Sequence, residues 1–280
     1  MLLARVCRRR AAGWFLYLVC LYYVLFRPGA RRASQSYLRR VGQPDGLASV
    51  VRHLHTFARV TLDRLFFLTG RWSSFAITYR GHELFLDAAR SGRGALLLGA
   101  HVGSFEVMRC RGEASGVPIN VIVDYSNAER INAVLHSLAP SDHTRLLSLG
   151  RDPLATMLAV RTCVGRGELV AMLGDRVAAR GGADRQVSVR FLGGDALLPA
   201  GPWLLAHTLK VPVYFFAGLY TPPNRYDLHC ELLAQEVTLD RRARAEHVQR
   251  YAQTYASALE RHVRLAPYNW FNFFELWSPQ

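Results

Sequence analysis

Apolar and polar positions along this chain follow two different periods. Over 47–69, Val50, Val51, Leu54, Phe57, Ala58, Thr61, Leu62, Leu65 and Phe66 recur at steps of three and four. That spacing predicts an amphipathic helix, which Gly70 can close. Beyond it, short apolar runs predict strands at 75–79, 94–100, 117–124, 144–149, 168–174, 186–192, 211–219 and 226–233. Helical spacing fills 82–91, 104–115, 127–138, 153–166 and 201–210, and a long polar-faced helix covers 240–264. Such alternation predicts an α/β fold with a central sheet flanked by helices. The runs 211–219 and 226–233 meet across Pro222-Pro223-Asn224 like a hairpin, so the sheet is expected to be mixed.

The N-terminus breaks this pattern. Residues 11–26, AAGWFLYLVCLYYVLF, carry no charge. Arg5, Arg8, Arg9 and Arg10 precede the run, and Arg27, Arg31 and Arg32 follow it. As a helix it would be about 24 Å long, against about 30 Å of bilayer hydrocarbon. Trp14, Tyr17, Tyr22 and Tyr23 suit a headgroup interface. Pro28-Gly29-Ala30 followed by Arg31-Arg32 is a poor signal-peptide cleavage site. The expectation is an uncleaved anchor, immersed in one leaflet or barely spanning; a buried helix is the alternative. Residues 1–45 are then a membrane anchor with a basic linker, and 46–280 one catalytic-sized domain.

Charge narrows the partners. The formal net charge is +14, and Lys210 is the only lysine among 35 basic residues. An excess of this size suits an anionic partner: acidic lipid headgroups, phosphorylated substrates or nucleic acid. The arginines are scattered and no nucleic-acid motif is present, so anionic membrane lipid is expected and nucleic acid is not. A basic nucleic-acid-binding protein is nevertheless the rival from another class. Cys7, Cys20, Cys110, Cys163 and Cys230 are widely spaced, with no disulfide framework or zinc ligand set. No metal-ligand spacing occurs, and no metal or resident cofactor is expected.

The candidate chemistry lies at Leu96-Leu97-Leu98-Gly99-Ala100-His101-Val102-Gly103-Ser104-Phe105-Glu106. A buried strand ends there in a small-residue turn that delivers His101 and then Glu106. Open α/β sheets bind ligands at such strand ends. A His oriented by a carboxylate can deprotonate an alcohol or amine near neutral pH. His82 and Asp87 share the spacing but sit in an amphipathic helical stretch with no glycine after the His, where a solvated face explains both.

This context resembles the H-x4-D/E signature of glycerolipid and lysophospholipid acyltransferases, and more closely the lipid A late acyltransferase branch. Those enzymes typically show Gly-x-His-x-Gly-Asn-Trp-Glu; here Ser104 replaces Asn and Phe105 replaces Trp. Gly174-Asp175-Arg176, then Val189-Arg190-Phe191-Leu192-Gly193, then Pro199-Ala200-Gly201-Pro202 match further segments in order. Ala266-Pro267-Tyr268-Asn269-Trp270-Phe271-Asn272-Phe273-Phe274 resembles a bacterial subgroup found alone or fused to glycosyltransferases. Arg130 and Asn132 stand where the branch carries an Arg before an Asn, though more closely spaced.

The resemblance implies a glycerolipid-acyltransferase-like fold. It also implies transfer of a fatty or related polyene acyl group from acyl carrier protein or coenzyme A, as co-substrate, to a lipid or glycolipid acceptor. The expected place is the cytoplasmic face of a bacterial inner membrane. His101 is the expected base and Glu106 its orienting carboxylate. Backbone N–H groups of Gly103 and Ser104 are candidate oxyanion donors. Arg176 and Arg190 are candidate phosphate ligands, and Asp175, Arg130, Asn132 and Gly201 complete the candidate substrate site. A lipid hydrolase using His101 and Glu106 on water is the second rival.

Overall fold

The computed structural model describes residues 9–107, 116–123, 144–148, 153–177 and 186–277. Three helices come first: α1 (Arg9–Phe26), α2 (Pro28–Arg40) and α3 (Leu47–Leu68). Then follow β1 (Ala76–Arg80), α4 (His82–Arg90), β2 (Ala95–Gly99), β3 (Ile119–Val123), β4 (Thr144–Ser148), α5 (Pro153–Gly165) and β5 (Leu169–Leu173). The chain continues through β6 (Gln186–Phe191), β7 (Gly194–Pro199), α6 (Gly201–Leu209), β8 (Val213–Thr221), β9 (Arg225–Ala234) and α7 (Arg244–Leu265). The predicted helix over 127–138 lies outside the described residues.

Seven strands form one sheet in the order β1-β9-β8-β2-β5-β3-β4. Only β8 and β9 pair antiparallel; every other neighbouring pair is parallel. The sheet is therefore mixed, with helices on both faces. β2 lies between β8 and β5, so all five of its residues are buried. Burial on both faces explains why Ala95-Leu96-Leu97-Leu98 reads as a continuous apolar run. Leu96 and Leu98 meet Phe215, Trp203, Tyr255 and Leu259 on one face. Ala95 and Leu97 meet Phe67, Phe85 and Phe216 on the other.

Two elements escaped the sequence pattern. β7 pairs with β6 in a separate two-stranded hairpin. Its alternation, with Ala196 and Leu198 buried and Asp195 and Leu197 exposed, is six residues long and directly abuts β6. α2 was expected to be linker. Its four arginines, with Gln35 and Ser36, mask a narrow buried stripe of Ala33, Ser34, Tyr37 and Leu38. Tyr37 is fully buried and donates to the Pro267 carbonyl at 2.6 Å.

α1 docks on α3 through one narrow face. Cys20 and Val24 are buried, Tyr17 stacks on His55 with centroids 3.8 Å apart, and His55 Nε2 donates to the Gly13 carbonyl at 3.0 Å. Those four positions fall at helical spacing, 13, 17, 20 and 24. From Trp14 onward the rest of its surface is apolar and open: Trp14 is 76% exposed, Leu18 65% and Phe26 65%. Among the described residues no single helix is long and apolar enough to cross a membrane; α1 and α2 together pass that test, bent by 100°.

α3 also departs from its simple apolar stripe. Phe57 and Thr61 are exposed, whereas His53, Thr56, Arg59 and Asp63 are buried. Elements on several sides grip this helix, so its polar side chains serve as ties between them. Asp63 accepts from the Tyr226 hydroxyl at 2.9 Å. His53 Nδ1 accepts from the Ser34 hydroxyl at 2.8 Å, and its Nε2–H donates to the Trp270 carbonyl at 2.8 Å. The carbonyl can only accept, which places a proton on Nε2; burial disfavours a second proton, leaving Nδ1 to accept.

Burial lowers the His53 pKa to about 4, although its bond to the Trp270 carbonyl works the other way. The unfolded chain therefore binds a proton here between the ordinary histidine value and about 4, and the folded chain does not. Stability from this group is complete above about pH 6.5 and is lost as pH falls toward 4. Between pH 7.5 and 5 the wild-type chain should lose about 2 kcal/mol more than His53→Gln does. Thermal unfolding of both proteins across that range measures the difference; parallel curves would contradict it.

Candidate active site

The register of β2 and β5 creates the site. Gly99 lies opposite Leu173, the last residue of each strand. Just beyond, the Gly174 amide donates to the Gly99 carbonyl at 2.9 Å. One residue further on, His101 and Asp175 meet. Asp175 Oδ1 accepts from His101 Nδ1–H at 2.8 Å, and Oδ2 accepts from the His101 backbone amide at 2.9 Å. The Trp270 indole N–H also donates to Oδ2, at 3.0 Å.

Burial alone would raise the Asp175 pKa. The charge of His101, its two hydrogen bonds and the Trp270 indole outweigh burial and hold the carboxyl at about 2. An ionised carboxylate only accepts, so the Nδ1 proton of His101 is fixed and Nε2 is left as the basic nitrogen. The His101 side chain is 30% exposed while that of Asp175 is 1% exposed. The imidazole therefore pairs a dry, charged inner partner with an accessible edge.

The carboxylate on His101 is Asp175 rather than the expected Glu106. No bond joins Glu106 to His101 among the described residues. Glu106 Oε1 instead accepts from Arg64 Nε at 2.6 Å, in an ion pair whose carboxylate is 7% exposed and whose guanidinium is 38% exposed. The physical reason is the turn of helix that starts at Phe105, which carries Glu106 toward α3 while β5 supplies the acid across the sheet.

The expected oxyanion donors are corrected too. The Gly103 amide donates to the Asn269 carbonyl at 2.8 Å, and the Ser104 amide to the Gly218 carbonyl at 2.8 Å. Both N–H groups are thus committed to holding the loop. Phe271 N–H completes the clamp by donating to the His101 carbonyl at 2.8 Å. The small residues of the motif answer to crowding. A Cβ on Gly99 would overlap the Phe216 ring, and one on Gly103, at φ +60°, would overlap the Gly218 carbonyl.

Of the remaining candidates, Arg176 follows Asp175 and lies at the surface. One of its terminal nitrogens donates to the Phe271 carbonyl at 2.8 Å, and its guanidinium sits 5.3 Å from the Phe274 ring centre. Arg190 is not drawn to His101. It pairs with Asp195 across the β6–β7 hairpin at 3.1 Å, both side chains being 67% exposed. It stands on the strand face opposite that of Phe191, which packs on Trp270. Gly201 opens α6 with Pro202 behind it and has open space around its Cα. Arg130 and Asn132 lie outside the described residues. Among the described residues, no group of three His, Cys, Asp or Glu side chains is placed to hold a metal ion.

Trp270 lay within a quoted segment without a part beside His101, and His53 and Arg64, which bond around this site, were not singled out from the sequence. The polar side chains of α3 were the available signal, since His53 and Arg64 interrupt a helix whose apolar stripe seemed complete without them. A family profile described as bacterial lipid A biosynthesis acyltransferase matches residues 51–278. No individually curated protein matches the chain.

Gly103→Ala should destabilise the fold by more than about 2 kcal/mol, since it combines a left-handed backbone with overlap against a fixed carbonyl. Denaturant unfolding would measure this. A stability within error of wild type would refute the clamp.

Proposed function

Because the chain belongs to the bacterial lipid A biosynthesis acyltransferase family and is in that broad sense a lipid acyltransferase, we propose the following specific reaction. It moves a fatty acyl, or related polyene acyl, group from a thioester on acyl carrier protein or coenzyme A. The acceptor is a hydroxyl or amine of a lipid or glycolipid. The observation that carries this reading is the His101–Asp175 pair, an accessible imidazole held by a buried carboxylate at the end of the central strand.

In this reading Nε2 of His101 takes the acceptor's proton as its oxygen or nitrogen bonds to the thioester carbonyl carbon. The tetrahedral adduct then collapses, the carbon–sulfur bond breaks, and the imidazolium returns its proton to the leaving thiolate. Asp175 fixes the tautomer and offsets the positive charge that forms on the ring. Glu106 has a different part: with Arg64 it fastens the turn after His101 to α3. Arg176 supports an anionic group near the base, since its surface guanidinium neighbours Asp175 and suits a phosphate of the acceptor or the pantetheine arm.

The open apolar surface of α1 supports association with a membrane, and with the arginines flanking it we place the protein on anionic lipid at the cytoplasmic face of the inner membrane. There a bilayer-bound acceptor meets a soluble thioester. The same pair could direct water at an ester, so the product decides between transfer and hydrolysis.

The test incubates the full-length protein with acyl carrier protein or coenzyme A thioesters and a bacterial glycolipid extract, scoring thiol release and acylated lipid by mass spectrometry. His101→Ala should abolish turnover, and Asp175→Asn should lower kcat by roughly two to four powers of ten. Glu106→Gln should lower the unfolding temperature but slow turnover far less than Asp175→Asn. Equal kinetic losses at Glu106 and Asp175 would return Glu106 to the mechanism. Free fatty acid without acylated lipid would establish the hydrolase.

Full-length protein should stay with membranes through a high-salt wash, because apolar burial outlasts screened charge. Replacing Trp14, Leu18 and Tyr22 together with Ser should release it to the soluble fraction with little change in unfolding temperature. Release of the unaltered protein by salt alone would leave only charge-held binding.

A further inference from the structure

Trp270 stands outside the reacting pair yet bonds directly to it. Its ring is fully buried and braced edge-on by Tyr37 at 5.0 Å and Phe191 at 5.2 Å between centroids. Its indole N–H reaches Asp175 Oδ2, the oxygen that does not face the imidazole. Its backbone carbonyl is held by His53, which is held in turn by Ser34. The residues on either side, Asn269 and Phe271, bond to Gly103 and His101. One short segment therefore grips the acid by a side chain and the base's loop by its backbone.

The geometry points to Trp270 as a positioning residue for the His101–Asp175 pair, with His53 as the clamp that fixes Trp270. The inference rests on the reading of His101 as the base. A carboxylate can turn about its last bond, and such turning would offer the imidazole a poorly aligned oxygen. Two donors on Oδ2, one from Trp270 and one from the His101 amide, prevent that. They leave Oδ1 aimed at Nδ1. The indole also compensates charge on a carboxylate that water does not reach. Without it, Asp175 would keep its place in the chain but lose its fixed direction. The Nε2–H tautomer of His101, which cannot act as a base at Nε2, would then be populated.

This role differs from mere packing in what it changes. Trp270→Phe keeps an aromatic ring and removes the donor. It should lower kcat by roughly ten- to a hundredfold, with KM for the thioester within about twofold of wild type. A merely structural role would move the unfolding temperature alone. Nitrogen-15 histidine NMR on the full-length protein in detergent micelles, with the His101 signal assigned from His101→Gln, reads the tautomer without any substrate. Wild type should show His101 protonated at Nδ1 with a low-field N–H proton. Trp270→Phe should show mixed tautomers and loss of that proton signal.

If Trp270→Phe does not fold, the His53 variants take its place. His53→Leu removes the donor to the Trp270 carbonyl and should shift the His101 tautomer in the same way. His53→Gln supplies an amide donor and should restore it. An unchanged tautomer and unchanged kcat in Trp270→Phe would overturn the positioning role, as would His53→Leu and His53→Gln that both match wild type. Full turnover by His101→Ala would instead overturn the reading of the site, and this inference with it.

Discussion

A carboxylate sealed inside a protein is costly unless its surroundings replace water, and Asp175 is such a group. Its three donors come from two places far apart in the chain: the turn after β2, and Trp270 near the last helix. Keeping all three aligned demands that the central strands hold register, that the turn at 101–104 be fixed, and that the indole be immobile. Much of the surrounding structure meets those demands. Tyr255 braces the Gly99 carbonyl at 2.8 Å, Gly218 and Asn269 pin the turn, and Tyr37, Phe191 and Trp277 pack around the indole. The polar stripe on α3 belongs to the same scheme, because His53 carries the bracing outward to α2.

The sequence disclosed the strand-and-turn setting of His101 because that information is local. An unbroken apolar run, two glycines and a helix start all fall within a dozen residues. The partner of His101 was misassigned for the complementary reason. Glu106 is close in sequence, whereas Asp175 is 74 residues away and becomes a neighbour only through the pairing of β2 with β5. No periodicity reveals which two strands of a parallel sheet adjoin. Asp175 was expected in the substrate site through its motif, not as the partner of His101.

Fold class, the mixed character of the sheet and most strand limits were legible, since burial on one or both faces leaves a direct trace in apolar spacing. What escaped followed from exceptions to that trace. α2 hides a thin buried stripe among arginines. α3 buries His53, Arg59 and Asp63 because neighbouring elements satisfy them, and a sequence shows a polar residue without showing its partner. Arg190 was expected as a phosphate ligand, and its partner Asp195 across the hairpin left no trace in the sequence pattern.

The distance along the chain between the acid and its indole donor, 95 residues, bears on how the protein comes into being. During synthesis His101 emerges first, then Asp175, while Trp270 waits until four further strands and two helices have been made. His53, which secures that donor, has by then long been exposed, 217 residues ahead of it. A nascent chain can pair β2 with β5 early, but Asp175 then holds its charge with one side unfinished. The aligned pair is thus a late product of folding, completed when an early helix and a late aromatic segment close on each other. Partly made chains would carry His101 and Asp175 without the third donor that fixes the carboxylate.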